Sequence, residues 1–223
     1  METTMASGKR DGKKKTTKAV VVREYEGFGP GGVHGVTFDG DRVWLARDGE
    51  LVAVAPESGE IERRLAVEAD AGTAFDGEHL YQIAGDRILV LRPSDGRVVR
   101  TLPAPGKGND SGLAYSDGYL WVGQYRDALI HQVDASTGAI VKTLRSDRWV
   151  TGVSCQDGEL WHGVTPADGA PAELRRLGAD GSVEETVVLP DDIFVSGLEK
   201  TKDGFYCGGG PSGKLRLVRP ARD

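Results

Sequence analysis

Three side chains with reactive chemistry recur at related places in this sequence: His34, His162 and Cys207. Two imidazoles and a thiolate form a donor set for a borderline or soft divalent metal such as zinc or copper. The same trio could work without metal, with Cys207 as the nucleophile and a histidine as its base. A plainer reading is a pocket of uncharged hydrogen-bonding groups. No Cys-x-x-Cys or similar local spacing selects the metal. The grouping therefore depends on the elements that would bring these residues together.

Those elements are legible as an internal repeat. Five times a short apolar strand starts at a glycine, runs into a Gly-ended turn and returns as a second strand with an early aromatic. The copies begin Gly35-Val-Thr-Phe-Asp-Gly40, Gly72-Thr-Ala-Phe-Asp-Gly77, Gly112-Leu-Ala-Tyr-Ser-Asp-Gly118, Gly152-Val-Ser-Cys-Gln-Asp-Gly158 and Gly197-Leu-Glu-Lys-Thr-Lys-Asp-Gly204. Their return strands carry Trp44, Tyr81, Trp121, Trp161 and Tyr206. A strand–turn–strand unit at a period near 40 residues is the signature of a β-propeller blade. Further hairpins follow in most copies, as in Arg87-Ile-Leu-Val-Leu-Arg92, Pro93-Ser-Asp-Gly96 and Arg97-Val-Val-Arg-Thr-Leu102. Alternating apolar and polar residues around such turns give four strands per blade. The fifth copy lacks its fourth strand, and Lys18–Tyr25 has the strand character to supply it. The expected architecture is an all-β, five-bladed propeller over residues 18–223, closed by the N-terminal strand, behind a basic disordered tail at 1–17.

Equivalent positions should point alike, because side chains alternate along a strand. Two rings are expected to face one mouth of the central channel. One precedes the repeat glycine: His34, Ala71, Ser111, Thr151 and Ser196. The other follows the second-strand aromatic: Leu45, Gln82, Val122, His162 and Cys207. The trio His34, His162 and Cys207 falls on adjoining blades of the closed ring, so it is the expected catalytic or metal-binding set. Gln82, Ser111, Asp110, Thr151, Ser196, Arg47, Gln124 and Trp149 are the expected ligand-binding residues around it. The repeat aromatics, and the slot shared by Phe38, Phe75, Tyr115 and Cys155, read as packing between blades.

Bulk composition narrows the partners. The 223 residues include 32 glycines and only two cysteines, Cys155 and Cys207, which excludes a disulfide framework. No apolar run is long enough for a membrane span, and no apolar leader opens the chain, so a cytoplasmic location is expected. Residues 1–18 carry six Lys/Arg and two acids; the rest is strongly acidic within a net charge of −6. An acidic body argues against nucleic acid and leaves a small molecule or short peptide as the expected ligand.

Val33-His-Gly-Val36, Val195-Ser-Gly-Leu198 and the hairpin from Leu80-Tyr-Gln82 through Arg92 resemble segments of the plant-type and bacterial glutaminyl-peptide cyclotransferases, five-bladed propellers. The resemblance spans about residues 19–218. It implies the fold and a pocket at the channel mouth. The family's catalytic glutamate falls on Leu45 here, its glutamine on His34, its tryptophan on Ser111, its asparagine on Thr151 and its late lysine near Gly210. Cyclisation needs a group that moves a proton from the attacking amine to the leaving ammonia, and neither Leu45 nor Gly210 can do so. The expectation is an enzyme of lyase or hydrolase type that is not a glutaminyl cyclase. A ligand- or metal-binding propeller without turnover and an interaction scaffold are the alternatives.

Overall fold

The computed structural model describes residues 14–26, 28, 32–47, 49–165 and 170–221. Among these there are twenty β-strands and no helix, hence no helix long and apolar enough to cross a membrane. Strand β1 is Lys15–Tyr25. A four-stranded antiparallel sheet follows: β2 Gly35–Phe38, β3 Val43–Arg47, β4 Glu50–Val54 and β5 Ile61–Leu65. The second is β6 Thr73–Phe75, β7 Leu80–Ala84, β8 Arg87–Leu91 and β9 Val98–Pro103. The third is β10 Asp110–Ser116, β11 Tyr119–Gln124, β12 Leu129–Asp134 and β13 Ile140–Arg145. The last sheet has eight strands. Strands β14 Val150–Gln156, β15 Glu159–Val164, β16 Glu173–Leu177 and β17 Val183–Val188 form one half. Strands β18 Gly197–Thr201, β19 Gly204–Gly208 and β20 Leu215–Pro220 form the other, completed by β1.

The N-terminal strand closes the chain as its composition suggested. Ala19–Tyr25 runs antiparallel to β20, while Lys15–Lys18 pairs in parallel with Glu185–Val188 of β17. The strand begins earlier than expected. Lys15, Thr16 and Thr17 belong to β1 rather than to a tail, because the free edge of β17 offers them a ladder and Glu185 meets the Lys15 ammonium at 3.0 Å. Residues 1–13 of the expected tail lie outside the described residues.

Local chemistry explains the hairpins. In the third and fourth copies Asp117-Gly118 and Asp157-Gly158 adopt positive φ at both positions, the conformation of a two-residue I′ turn matching strand twist. Middle strands such as β3 and β7 are buried along their whole length, since both faces of their sheets are covered. Outer strands such as β9 and β13 bury a single residue of six.

Among the described residues the core consists of five clusters, each between successive four-stranded units. Trp44, Leu51 and Ala53 of the first sheet meet Leu80, Leu89 and Leu91 of the second. Trp161, Leu174 and Val187 meet Leu198, Phe205 and Cys207. The repeat aromatics do pack between sheets, and two of them also hydrogen-bond: Trp44 Nε1 donates to Asp39 at 2.7 Å and Tyr81 Oη to Asp76 at 3.0 Å. Each fully buried Leu or Ile contributes about 1.5–3 kcal/mol of transfer free energy, so the five interfaces supply most of the stability.

The first strands of the repeats touch in a closed cycle, β2–β6–β10–β14–β18 and back to β2. Five glycines make that approach possible. A methyl group on Gly112 would lie 2.5 Å from Val153 N and 2.8 Å from the Gly152 carbonyl carbon; one on Gly197 would lie 2.8 Å from Val36 N. Gly35, Gly72 and Gly152 meet the next strand in the same way. The ring of backbone leaves no room for a water molecule along the axis. It divides the centre of the molecule into two separate mouths.

Candidate functional site

Where the inner strands begin, on one side of the glycine ring, lies a cavity of about 300 Å³. All five residues preceding the ring glycines line it: His34, Ala71, Ser111, Thr151 and Ser196. A bulge at this position contributes to the aim in the third and fourth copies. The β10–β11 register skips Ser111 and the β14–β15 register skips Thr151, which breaks the strand alternation. Two of the hydroxyls are tied to main chain. Ser111 Oγ donates toward Val150 O at 2.8 Å and Gly123 O at 3.1 Å, and Ser196 Oγ lies against Val33 O while accepting from Gly210 N at 2.8 Å. They staple neighbouring sheets together. Thr151 Oγ1 is buried without a hydrogen-bond partner.

Asp110 supplies the site's buried carboxyl. It is 8% exposed and lines the cavity. Burial pushes it up to about 6, while the Gly106 N–H, at 3.0 and 2.9 Å from its two oxygens, and the Gln124 amide hold it down. Any side chain at Gly106 would collide with Asp110 Oδ1 at 2.5 Å. Asp70 also lines the cavity, is exposed, and accepts from Gly85 N at 2.9 Å. It occupies the same repeat position as Asp110, two before the ring glycine, and the repeat alignment carried that signal.

An aromatic rim completes the site. Phe194 lines the cavity and is 56% exposed. Tyr125 lines it too, with the exposed ring of Trp149 packed against it at 5.1 Å. Tyr125, Thr165 and Gly210 share one repeat position, three residues beyond the second expected ring.

That second ring is the principal correction. Leu45, Gln82, Val122, His162 and Cys207 are buried and none lines the cavity. The reason is antiparallel register. Asp110 at the mouth pairs with Gln124, whereas Val122, His162 and Cys207 pair with Leu113, Val153 and Leu198, on the far side of the glycines. At that depth both faces of a sheet meet other sheets, and only the inner strand's edge meets the axis.

The trio His34, His162 and Cys207 is therefore not one site. His34 lies at the mouth; Cys207 packs among Leu198, Phe205 and Trp161. His162 has no hydrogen-bond partner at either ring nitrogen. Burial holds its pKa down to about 3, aided by Arg175, while Asp147 and the Gly163 backbone pull the other way. Among the described residues no three His, Cys, Asp or Glu side chains converge to hold a metal ion. Burial also pushes the Cys207 thiol up to about 12, where almost no thiolate nucleophile exists at neutral pH. In the native protein an aromatic disulfide reagent should modify Cys155 slowly and Cys207 only after denaturation. Prompt release of two equivalents would restore Cys207 as a candidate nucleophile.

The other expected binding residues divide. Gln82 is fully buried, its Nε2 donating to Ile83 O at 2.7 Å and Ala71 O at 3.2 Å. Arg47 is buried and pairs with Glu50 at 3.1 Å. Gln124 acts only through Asp110, and Trp149 only through Tyr125.

The whole fold has solved counterparts. The crystal structure of Myxococcus xanthus glutaminyl cyclase superposes with a TM-score of 0.77 at 17% identity, over 95% of this chain and all of that one. A chain of the mitotic checkpoint complex superposes with a TM-score of 0.52 at 14% identity, over 86% of this chain and 64% of that one. No family model matches the sequence, and no curated protein matches it. At these identities the likeness establishes a glutaminyl-cyclase-like, propeller-type all-β fold, and nothing about activity.

Proposed function

We propose that the chain is a five-bladed β-propeller enzyme acting on a small molecule or short peptide at the Asp110 mouth, and that it is not a glutaminyl cyclase. The ring of five glycines and the five intersheet clusters support the blade count. The observation that carries the functional reading is Asp110, a buried carboxyl lining an open cavity, poised near pH 6. Such a group can both take and return a proton at neutral pH. Its setting suits lyase or hydrolase chemistry, with Phe194 and Tyr125 covering the apolar part of the ligand and His34 meeting its polar part. Leu45, which holds the place of the family's glutamate, is fully buried among Val36, Val52 and Leu215 and cannot reach a ligand. Two unpaired cysteines accord with a cytoplasmic setting.

A panel of small amides, esters and dipeptides tests this. Substrates should raise the melting temperature by mass action. Turnover should rise with an apparent pKa near 6, and Asp110→Asn should lower kcat by roughly 10²–10⁴-fold. Unchanged kcat in Asp110→Asn overturns the assignment. Binding with no product on long incubation would favour a pure binding protein. An N-terminal glutaminyl peptide should not cyclise, and catalysed cyclisation would refute the exclusion of that activity.

A further inference from the structure

We infer that the opposite mouth is a second binding site, built for an organic cation: an ammonium group carried on an aromatic or apolar body. It lies where the inner strands end, beyond the glycine ring, in a cavity of about 490 Å³ framed by β2, β6, β14 and β18. The closed ring separates it from the Asp110 mouth.

Its floor carries one anomalous residue. Two places after each ring glycine stand Thr37, Ala74, Ala114, Ser154 and Glu199. Four are small and uncharged; the fifth is a carboxyl. Glu199 lines the cavity with the Thr37 hydroxyl as its hydrogen-bond partner. Burial pushes its carboxyl up to about 8. The adjacent ammonium, Lys200, is held by Glu159 at 2.6 Å.

The remaining charged groups around the cavity are largely committed. Asp39 accepts from the Asp41 and Arg42 N–H groups and from Trp44. Glu57 pairs with Arg23 at 3.2 Å and Asp203 with Arg219 at 3.6 Å. Lys202 is exposed, and burial raises both the Tyr206 phenol and the Cys155 thiol, which also feels Glu199, above their ordinary ranges. Among the described acids lining the cavity, Glu199 is thus the one with neither an ion pair nor an N–H donor. The walls are aromatic: Phe38, stacked on Tyr206 at 6.4 Å, and Phe75. Aromatic faces beside a carboxylate attract organic cations. A divalent metal finds no three-donor set among the described residues.

A cation binds the ionised carboxylate, so below pH 8 its arrival expels the Glu199 proton to solvent. Benzyltrimethylammonium, whose charge does not titrate, is the probe. Calorimetry on the full chain should show affinity rising close to tenfold per pH unit from 6 toward 8 and levelling above, with nearly one proton released at pH 6–7. Glu199→Gln should lose at least tenfold in affinity together with the proton release. Phe75→Ala should bind more weakly yet keep the pH dependence, and it decides the matter if Glu199→Gln does not fold. Phe194→Ala, at the other mouth, should bind the probe like the wild type. Absence of binding at millimolar probe, a pH-independent affinity, full affinity in Glu199→Gln, loss in Phe194→Ala, or competitive displacement by calcium or zinc would each overturn the proposal.

Discussion

Gly112→Ala should destabilise the protein by about 3 kcal/mol or more, near or beyond the upper end of ordinary overpacking. The added methyl would meet main-chain atoms of the next inner strand, Val153 N at 2.5 Å and Gly152 at 2.8 Å. Main chain cannot rotate aside as a side chain can, and Gly112 itself receives the approach of Gly72. Displacing one strand of a closed ring displaces its neighbours, so the strain has no free edge to relax into. For a chain of this size the loss corresponds to a melting-temperature drop of roughly 6–12 °C. Gly118→Ala is the comparison. Its φ of 84° is unfavourable for alanine, but nothing lies within 4 Å of the new methyl, so only the backbone cost of about 1–2 kcal/mol applies. Equal melting temperatures for the two variants would show that the axis is not tightly closed.

His162→Leu should make the protein more resistant to acid. The wild-type imidazole is buried, both nitrogens lack partners, and its pKa is held down to about 3. Unfolding returns it to an ordinary value near 6.5. Between these values the unfolded chain binds the extra proton, so native stability falls as pH drops from 6.5 toward 3. At pH 4 the penalty is on the order of 3 kcal/mol, and leucine removes it. At pH 7 leucine also ends the burial of unpaired polar atoms, worth about 1–3 kcal/mol against any repacking cost. Denaturant unfolding at pH 4 and 7 measures both effects, and an equally steep acid dependence in His162→Leu would sink the account. Asp110 and Glu199 act with the opposite sign. Their raised values make the native state the tighter proton binder, so their contributions fall as pH rises toward about 6 and about 8 respectively.

Much of the site was within reach of the repeat alignment, and the misplacement of the second ring has a single geometric origin. The residues preceding the glycines line the cavity as expected, because strand ends at equivalent positions reach the same mouth. His162 and Cys207 were misplaced because alternation along one strand was used without the register of its partner. Pairing Asp110 with Gln124 moves the mouth level of the second strand three residues on, to Tyr125 and Thr165. Asp70 was missed although it shares Asp110's slot. Phe194 was missed although it stands three residues before its ring glycine, the position Trp149 holds in the fourth copy.

The sequence by itself determined the strands, the turns and the closure of the chain by its own N-terminus, since these follow from local periodicity and turn chemistry repeated five times. Only the tertiary structure decided which polar side chains meet water and which are sealed between sheets. Burial and proton affinity depend on neighbours far along the chain. Asp110 owes its poise to burial beside the cavity, and Glu199 its isolation to four neighbouring repeats that bring no charge to its ring. His162 owes its inertness to the sheets packed around it.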